Sequence, residues 1–263
     1  MSLISLHNGD CLELLRDVPD CTIDAIICDL PYGTTQCKWD VALDFDALWA
    51  QYERVAKPKA PILLFSAQPF TSKLIMSRIE QYRYLWYWEK EKGTNFFRTG
   101  NQPLRVIEEI CVFSMENGYT YNPQMAPLDK PYRHTMPLKH SAITGTGVIS
   151  GNQTPEERQY KTYTHSHPKN LVKFPRDNGN KSLVPTQKPV ALLEYLVRTY
   201  TNPGDVVLDN TMGSGTTGVA CKRLDRSFIG MEMSERHFAI ARERIERETA
   251  APAAEPDDLL IWS

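Results

Sequence analysis

No apolar run in this 263-residue chain approaches the length that a bilayer demands; Pro61-Ile62-Leu63-Leu64-Phe65 is among the longest. A spanning helix needs roughly 20 such residues, so no membrane association is expected. Met1-Ser2-Leu3-Ile4-Ser5-Leu6-His7-Asn8 lacks the basic end and apolar stretch of a secretion leader, and a cytoplasmic protein is expected. The cysteines Cys11, Cys21, Cys28, Cys37, Cys111 and Cys221 form no CxxC pair and share no spacing. That argues against a disulfide framework and against zinc, and for buried free thiols in a reducing cytosol. No internal repeat is visible either.

What is present suffices for one sizeable core, or a core with a modest insertion, since 41% of the residues are hydrophobic. From Ser2 to about Ser114, strand-like and helix-like segments alternate. Ile23–Cys28, Ile62–Phe65, Tyr84–Trp88 and Ile107–Phe113 read as strands. Phe45, Leu48, Trp49 and Tyr52 recur at helical spacing between the first two. Such alternation predicts a doubly wound, mostly parallel α/β sheet covered by helices. After the alternation fades, order returns at Pro189, which can open a helix with Leu193, Leu196, Val197 and Tyr200 on its inner stripe. Strand Val206–Leu208, a glycine loop, a helix through Leu224, strand Ser227–Met231 and a final helix capped by Ser234 follow, the last with Phe238, Ala241 and Ile245 inward.

The net charge of −2 hides an asymmetry. Between Asn117 and Lys188 ten lysines and arginines face four acidic residues, a local +6, with five tyrosines interleaved. That stretch, rich in Gly, Pro, Asn and Thr, reads as an irregular insertion that suits a polyanion offering rings for stacking. A solvated surface loop would carry the same charge count. After Glu248 the chain turns acidic and Ala/Pro-rich, the composition of a disordered tail.

Two loops carry the chemistry. Asp29-Leu30-Pro31-Tyr32 follows a strand, and so does Asp209-Asn210-Thr211-Met212-Gly213-Ser214-Gly215-Thr216-Thr217; open α/β sheets hold ligands at the carboxyl ends of strands. Gly213 to Gly218 matches GxGxxG, and Glu232 ends the next strand, where it can accept from ribose hydroxyls. A nicotinamide site is disfavoured, because only about thirty residues remain after Glu232 and a second βαβ half would not fit into them. In the first loop, the Asp29 carboxylate and the Pro31 carbonyl can both accept from an exocyclic amine, stabilising the positive charge that grows on nitrogen. Tyr32 can stack on a base drawn out of a duplex. A site with neither histidine nor metal offers nothing for phosphodiester hydrolysis.

Together these loops resemble those of the permuted, beta-group DNA amino-methyltransferases that use S-adenosylmethionine, in which the catalytic loop precedes the cofactor loop. The first is similar to the family's Asp-Pro-Pro-Tyr, with Leu30 for a proline, and the second to Asp-Pro-Phe-x-Gly-Ser-Gly-Thr-Thr, with Asn210 and Thr211 replacing Pro and Phe. Asn8-Gly9-Asp10-Cys11, Pro185-Thr186-Gln187-Lys188-Pro189, Phe228–Glu232 and the Trp86–Lys90 to Glu108–Ile110 strand pair also resemble family segments in order. The resemblance implies a Rossmann-like methyltransferase fold divided as 1–115 and 185–250, with target recognition in 116–184 and a tail at 251–263. It implies Asp29, Pro31 and Tyr32 as catalytic residues. It implies cofactor contacts from Asp10, Cys11, Asp29, Thr186, Lys188, Asp209, Asn210, Thr211, Gly213, Ser214, Gly215, Thr216 and Glu232, with Lys188 facing the methionyl carboxylate. Lys161, Lys169, Lys173 and Arg176 are candidate phosphate contacts.

The partner implied is double-stranded DNA, in a prokaryote or phage; a homodimer and a separate restriction endonuclease stay open. Asp29 leans toward adenine N6 as the target, because cytosine-directed relatives more often carry Ser there. Cytosine N4 is the alternative, as is a modification subunit that binds without catalysis. Glutamine- or RNA-modifying relatives usually carry Asn at that position.

Overall fold

The computed structural model describes residues 2–33, 43–96, 99–135, 160–175 and 187–248. Cys37, Thr186, Arg176 and the acidic tail lie outside them. The residues group into two compact units, one built from the two ends of the chain and one spanning Pro123–Pro168.

The large unit is an eight-stranded sheet. Its strands are β1 (Ile4–Asn8), β2 (Ala25–Asp29), β3 (Ile62–Ser66), β4 (Tyr82–Thr94), β5 (Arg105–Phe113), β8 (Leu171–Lys173), β9 (Val206–Asp209) and β10 (Ser227–Glu232), in the order β1-β10-β9-β2-β3-β5-β4-β8. The run from β1 to β3 is parallel, β5 is antiparallel to both neighbours, and β8 pairs parallel with β4. From β2 the chain winds outward to β3, and from β9 it winds the opposite way through β10. The gap between the ends of β2 and β9 is therefore the topological switch point, where such sheets keep their ligands. Asp29 ends β2 and Asp209 ends β9.

Side chains leave a strand alternately to its two faces, and the burial follows that rule. Ile26, Cys28, Ile62, Leu64 and Leu208 pack under α1 (Cys11–Leu14), α2 (Phe45–Val55) and α3 (Phe70–Ser77). Ile27, Leu63, Phe65, Val207 and Phe228 pack under α4 (Val190–Tyr200), α5 (Thr216–Arg223) and α6 (Glu235–Arg247). The predicted inner stripe of α4 is buried throughout, and the Ser234 hydroxyl caps α6 at His237. Cys11, Cys28, Cys111 and Cys221 are buried free thiols, whereas Cys21 is exposed.

The structure departs from the 116–184 insertion at both ends. Asn122 belongs to the large unit, its amide donating to the carbonyl of Thr199 at 2.6 Å. Leu171–Lys173 pairs with Tyr87–Glu89, and just beyond it the Phe174 carbonyl accepts the buried Trp88 indole N–H at 2.8 Å. The small unit is an antiparallel ribbon of β6 (Ala126–Thr135) and β7 (Tyr160–Ser166). Tyr132 and Tyr160 are exposed on it; Lys161 lies over Tyr163 and Arg133 over Tyr160.

Candidate active site

The two loops meet. The Thr211 hydroxyl donates to the backbone carbonyl of Asp29 at 3.0 Å, joining positions 182 residues apart in sequence. Both line one cavity of about 710 Å³, shared with Asp10, Cys11, Glu108, Lys188 and Glu232.

At the glycine loop, Gly213 and Gly215 take φ of +52° and +75°, a region that side chains disfavour. A Cβ at Gly215 would stand 2.9 Å from Ala241 Cβ, so the residue also lets α6 close on the loop. Arg244 reaches from α6 to the Ser214 carbonyl and the Thr216 hydroxyl. Glu232 accepts from the Gly213 amide at 3.0 Å and from the Ser234 amide at 2.8 Å. Each carboxylate oxygen keeps a second lone pair, so the acid can still accept from hydroxyls. Asp10 caps α1 through the Leu12 amide, leaving its other oxygen on the cavity.

Asp209 is 4% exposed, and its described partners are all neutral: the Thr217 hydroxyl at 2.7 Å and the Thr211 amide at 3.1 Å. Burial pushes its carboxyl up to about 7 against these hydrogen bonds, and Asp29 adds to the shift. A buried carboxylate whose hydrogen-bond donors are neutral fits a ligand that brings a cation. Asn210 is occupied otherwise: its amide oxygen accepts from Tyr52 at 2.6 Å and from Cys28 at 2.9 Å, anchoring the loop to the core. Burial raises the Cys28 thiol and the Tyr52 phenol, so both stay protonated donors.

At the other loop, Tyr32 stacks on Phe70 with centroids 4.8 Å apart, and its hydroxyl donates to Asp29 Oδ1 at 2.9 Å. Burial, Asp29 and Glu108 raise the Tyr32 phenol and keep it protonated. Lys188 Nζ sits 2.5 Å from Asp29 Oδ2 and 3.5 Å from Glu108 Oε2. Lys90, 3% exposed, holds the other oxygen of Glu108 at 2.8 Å. Lys188, on the segment before α4, is thus paired with the amine-holding loop.

Phe70 escapes the sequence reading, which takes in Lys90 and Glu108 only as ends of a family-like strand pair and gives them no role. Glu108 does carry a signal, as a charge inside the apolar run Ile107–Phe113. Lys90 continues the inward alternation of Trp86 and Trp88. Of the phosphate candidates, Lys161, Lys169 and Lys173 are exposed, and Lys173 pairs with Glu89 at 3.3 Å. Among the described residues, no three His, Cys, Asp or Glu side chains converge as metal ligands, and no helix is long and apolar enough to cross a membrane.

Comparison with known proteins agrees with this geometry. A family model described as DNA methylase, of the N6/N4 methyltransferases, matches residues 23–243. The type II methyltransferase M.HpaI of Haemophilus parainfluenzae is 28% identical over 257 residues, covering 91% of this chain and 73% of its own length. Two solved structures share the fold. The M1.HpyAVI–SAM complex has TM-score 0.63 and 24% identity, covering 92% of this chain and 99% of that one. The cytosine-N4-specific PvuII DNA methyltransferase has TM-score 0.64 and 17% identity, covering 93% and 86%.

Proposed function

The chain belongs to the DNA methylase family of S-adenosylmethionine-dependent N6/N4 methyltransferases, and from that premise we propose that it methylates adenine N6 in a short sequence of duplex DNA. One observation carries the proposal. The amine-holding loop and the glycine loop are hydrogen-bonded together at the sheet's switch point, over a single cavity with a carboxylate from each. Leu30 and the Asn210-Thr211 pair, the departures from the family pattern, do not disturb that juxtaposition. Leu30 is buried in the core, and Thr211 makes the bridge.

S-adenosylmethionine supplies a methyl group already activated on a sulfonium. Asp209 is suited to its ammonium, Glu232 to the ribose hydroxyls and Asp10 to the adenine edge, while the glycines at 213 and 215 admit a close backbone approach. For the substrate, a base turned out of the stack would meet Tyr32, whose far face Phe70 supports. Asp29 and the Pro31 carbonyl would take the amine hydrogens and draw the nitrogen lone pair out of ring conjugation. They favour the positive charge that develops as nitrogen gains carbon, and Asp29 is the nearest base for the proton it then sheds. Much of the remaining barrier falls to positioning.

Asp29 at the head of the motif supports adenine. The likeness to the cytosine-N4-specific PvuII enzyme favours a second reading, cytosine N4. One experiment separates them: expression in a host lacking methylation, then single-molecule sequencing of its DNA and mass spectrometry of its nucleosides. N6-methyladenine at a fixed motif is the expected result. N4-methylcytosine supports the second reading, and unmodified DNA overturns both.

A further inference from the structure

The structure gives Lys188 an occupation other than the cofactor. Its ammonium lies between two carboxylates, 2.5 Å from Asp29 and 3.5 Å from Glu108, with its charge over the Phe65 ring at 5.1 Å. Glu108 is in turn fixed by the buried Lys90, so the site holds a chain of alternating sign, Lys90–Glu108–Lys188–Asp29, that runs from the interior to the half-buried Asp29. We propose that Lys188 is a positioning residue for Asp29, its ammonium holding Oδ2 and balancing the charge so that Oδ1, where the Tyr32 hydroxyl now rests, is turned toward the place of the target amine.

Every element around Asp29 takes part. Its own loop supplies the Tyr32 hydroxyl on Oδ1, the segment before α4 supplies Lys188 on Oδ2, and Thr211 holds its backbone carbonyl. The remaining charges nearby are Glu108 on β5, Lys90 on β4 and Asp209 on β9. Without Lys188, Asp29 would lose the opposite charge on its Oδ2 while Asp10, Glu108, Asp209 and Glu232 still line the same cavity, an environment less favourable to a carboxylate that must accept from the amine. Burial alone would lower the Lys188 ammonium, but Asp29 and Glu108 outweigh it and raise it, so the lysine keeps its charge. To reach a cofactor carboxylate instead, Lys188 would have to abandon two half-buried anions that it already pairs, an unfavourable exchange. The occupied Oδ1 also explains how the loop rests: the Tyr32 hydroxyl fills the place that the substrate amine would take.

The inference rests on the methyltransferase reading, and its test keeps the two apart. Full-length wild type, Lys188→Met and Lys188→Arg would be given radiolabelled S-adenosylmethionine and DNA from a methylation-deficient host, with single-turnover transfer followed over about pH 6 to 9. Calorimetry would give the cofactor affinity of each. Lys188→Met should lose about a hundredfold in transfer at neutral pH, with the acid limb of its profile moved up by about one unit or more. Its cofactor Kd should stay within about threefold, and Lys188→Arg, which keeps the charge, should recover to within about tenfold of wild type. A Kd that rises as much as the rate falls would return Lys188 to the cofactor and overturn the proposal. So would a slower rate with an unmoved acid limb. Absence of transfer by the wild type would overturn the methyltransferase reading itself.

Discussion

Asp29 and Asp209 end adjacent strands of one sheet and face one cavity, yet the protein treats them in opposite ways. Asp29 has a lysine of its own at 2.5 Å. Asp209 is sealed among neutral donors, with its carboxyl held up to about 7. The chemistry of the partners explains the contrast. A nucleobase amine arrives neutral and becomes charged only as it reacts, so the carboxylate awaiting it must be kept ionised from within. An amino-acid ammonium arrives already charged and can complete its carboxylate on binding. Pre-neutralising Asp209 would waste that attraction, and leaving Asp29 unpaired would deny it the cation that fixes it.

Removing Asp29 should therefore strike catalysis alone. Asp29→Ala is expected to reduce methyl transfer by about a thousandfold or more while cofactor affinity changes by only a few fold, read by filter binding beside calorimetry. Full activity in that variant would eliminate the mechanism. Asp209→Asn should do the reverse, weakening the cofactor by about 30- to 100-fold, the worth of a buried charge-assisted bond. In the wild type the same carboxylate sets a pH dependence. Its folded value lies above the roughly 3.9 of an unfolded Asp, so the free protein gains stability from it at low pH and loses that gain as pH rises through about 7. Cofactor binding needs the ionised form, so affinity should weaken by up to about tenfold per unit below about pH 7. Asp209→Asn should flatten that slope; a slope that survives the substitution would assign it to another group.

Much of this arrangement is legible in the chain because the parallel strands are buried on both faces. Ile23–Cys28, Ile62–Phe65 and Val206–Leu208 are largely apolar runs too short for helices, and the first and last lead into the Asp29 and Asp209 loops. The edge is harder to read. β4 runs on to Thr94 through Glu89, Lys90 and Glu91, and pairing with β5 and, at Glu89, with β8 makes a strand of such polar residues. β8 has three residues, paired with Tyr87–Glu89, and the Phe174 carbonyl just beyond it accepts the Trp88 indole N–H. Lys188 belongs to a recognisable motif, but its partner stands 159 positions away, and no local pattern encodes an ion pair of that span.

The geometry of the glycine loop offers a smaller effect, on stability more than chemistry. Gly215→Ala would combine a strained φ of +75° with a Cβ 2.9 Å from both Ala241 Cβ and Ile245 Cδ1. A cost of about 2 kcal/mol is expected, visible as a fall of several degrees in Tm. It should weaken the cofactor secondarily, by shifting the loop against α6, while leaving the Lys188–Asp29 pair and the pH profile of transfer untouched. A changed profile would mean that the two loops act as one rigid body and that the division between the two aspartates is too sharp.

Exposed cations extend the contrast between charges with permanent partners and charges waiting for one. Lys188 is spent inside the protein, whereas Lys169 and Lys173 lie in solvent, the latter only loosely paired with Glu89 at 3.3 Å. A lysine that meets phosphate displaces condensed counterions, and each such contact adds about 0.9 to the slope of log affinity against log salt. Replacing Lys169 and Lys173 together by Ala should therefore weaken DNA binding and lower that slope by about 1 to 2. The pairing with Glu89 predicts the lower end, because DNA must first draw Lys173 away from a carboxylate. Titration of fluorescent duplex DNA at several salt concentrations would read it directly. An unchanged slope would reject both lysines as phosphate contacts and shift attention to the ribbon, where Lys161 and Arg133 lie over tyrosine rings.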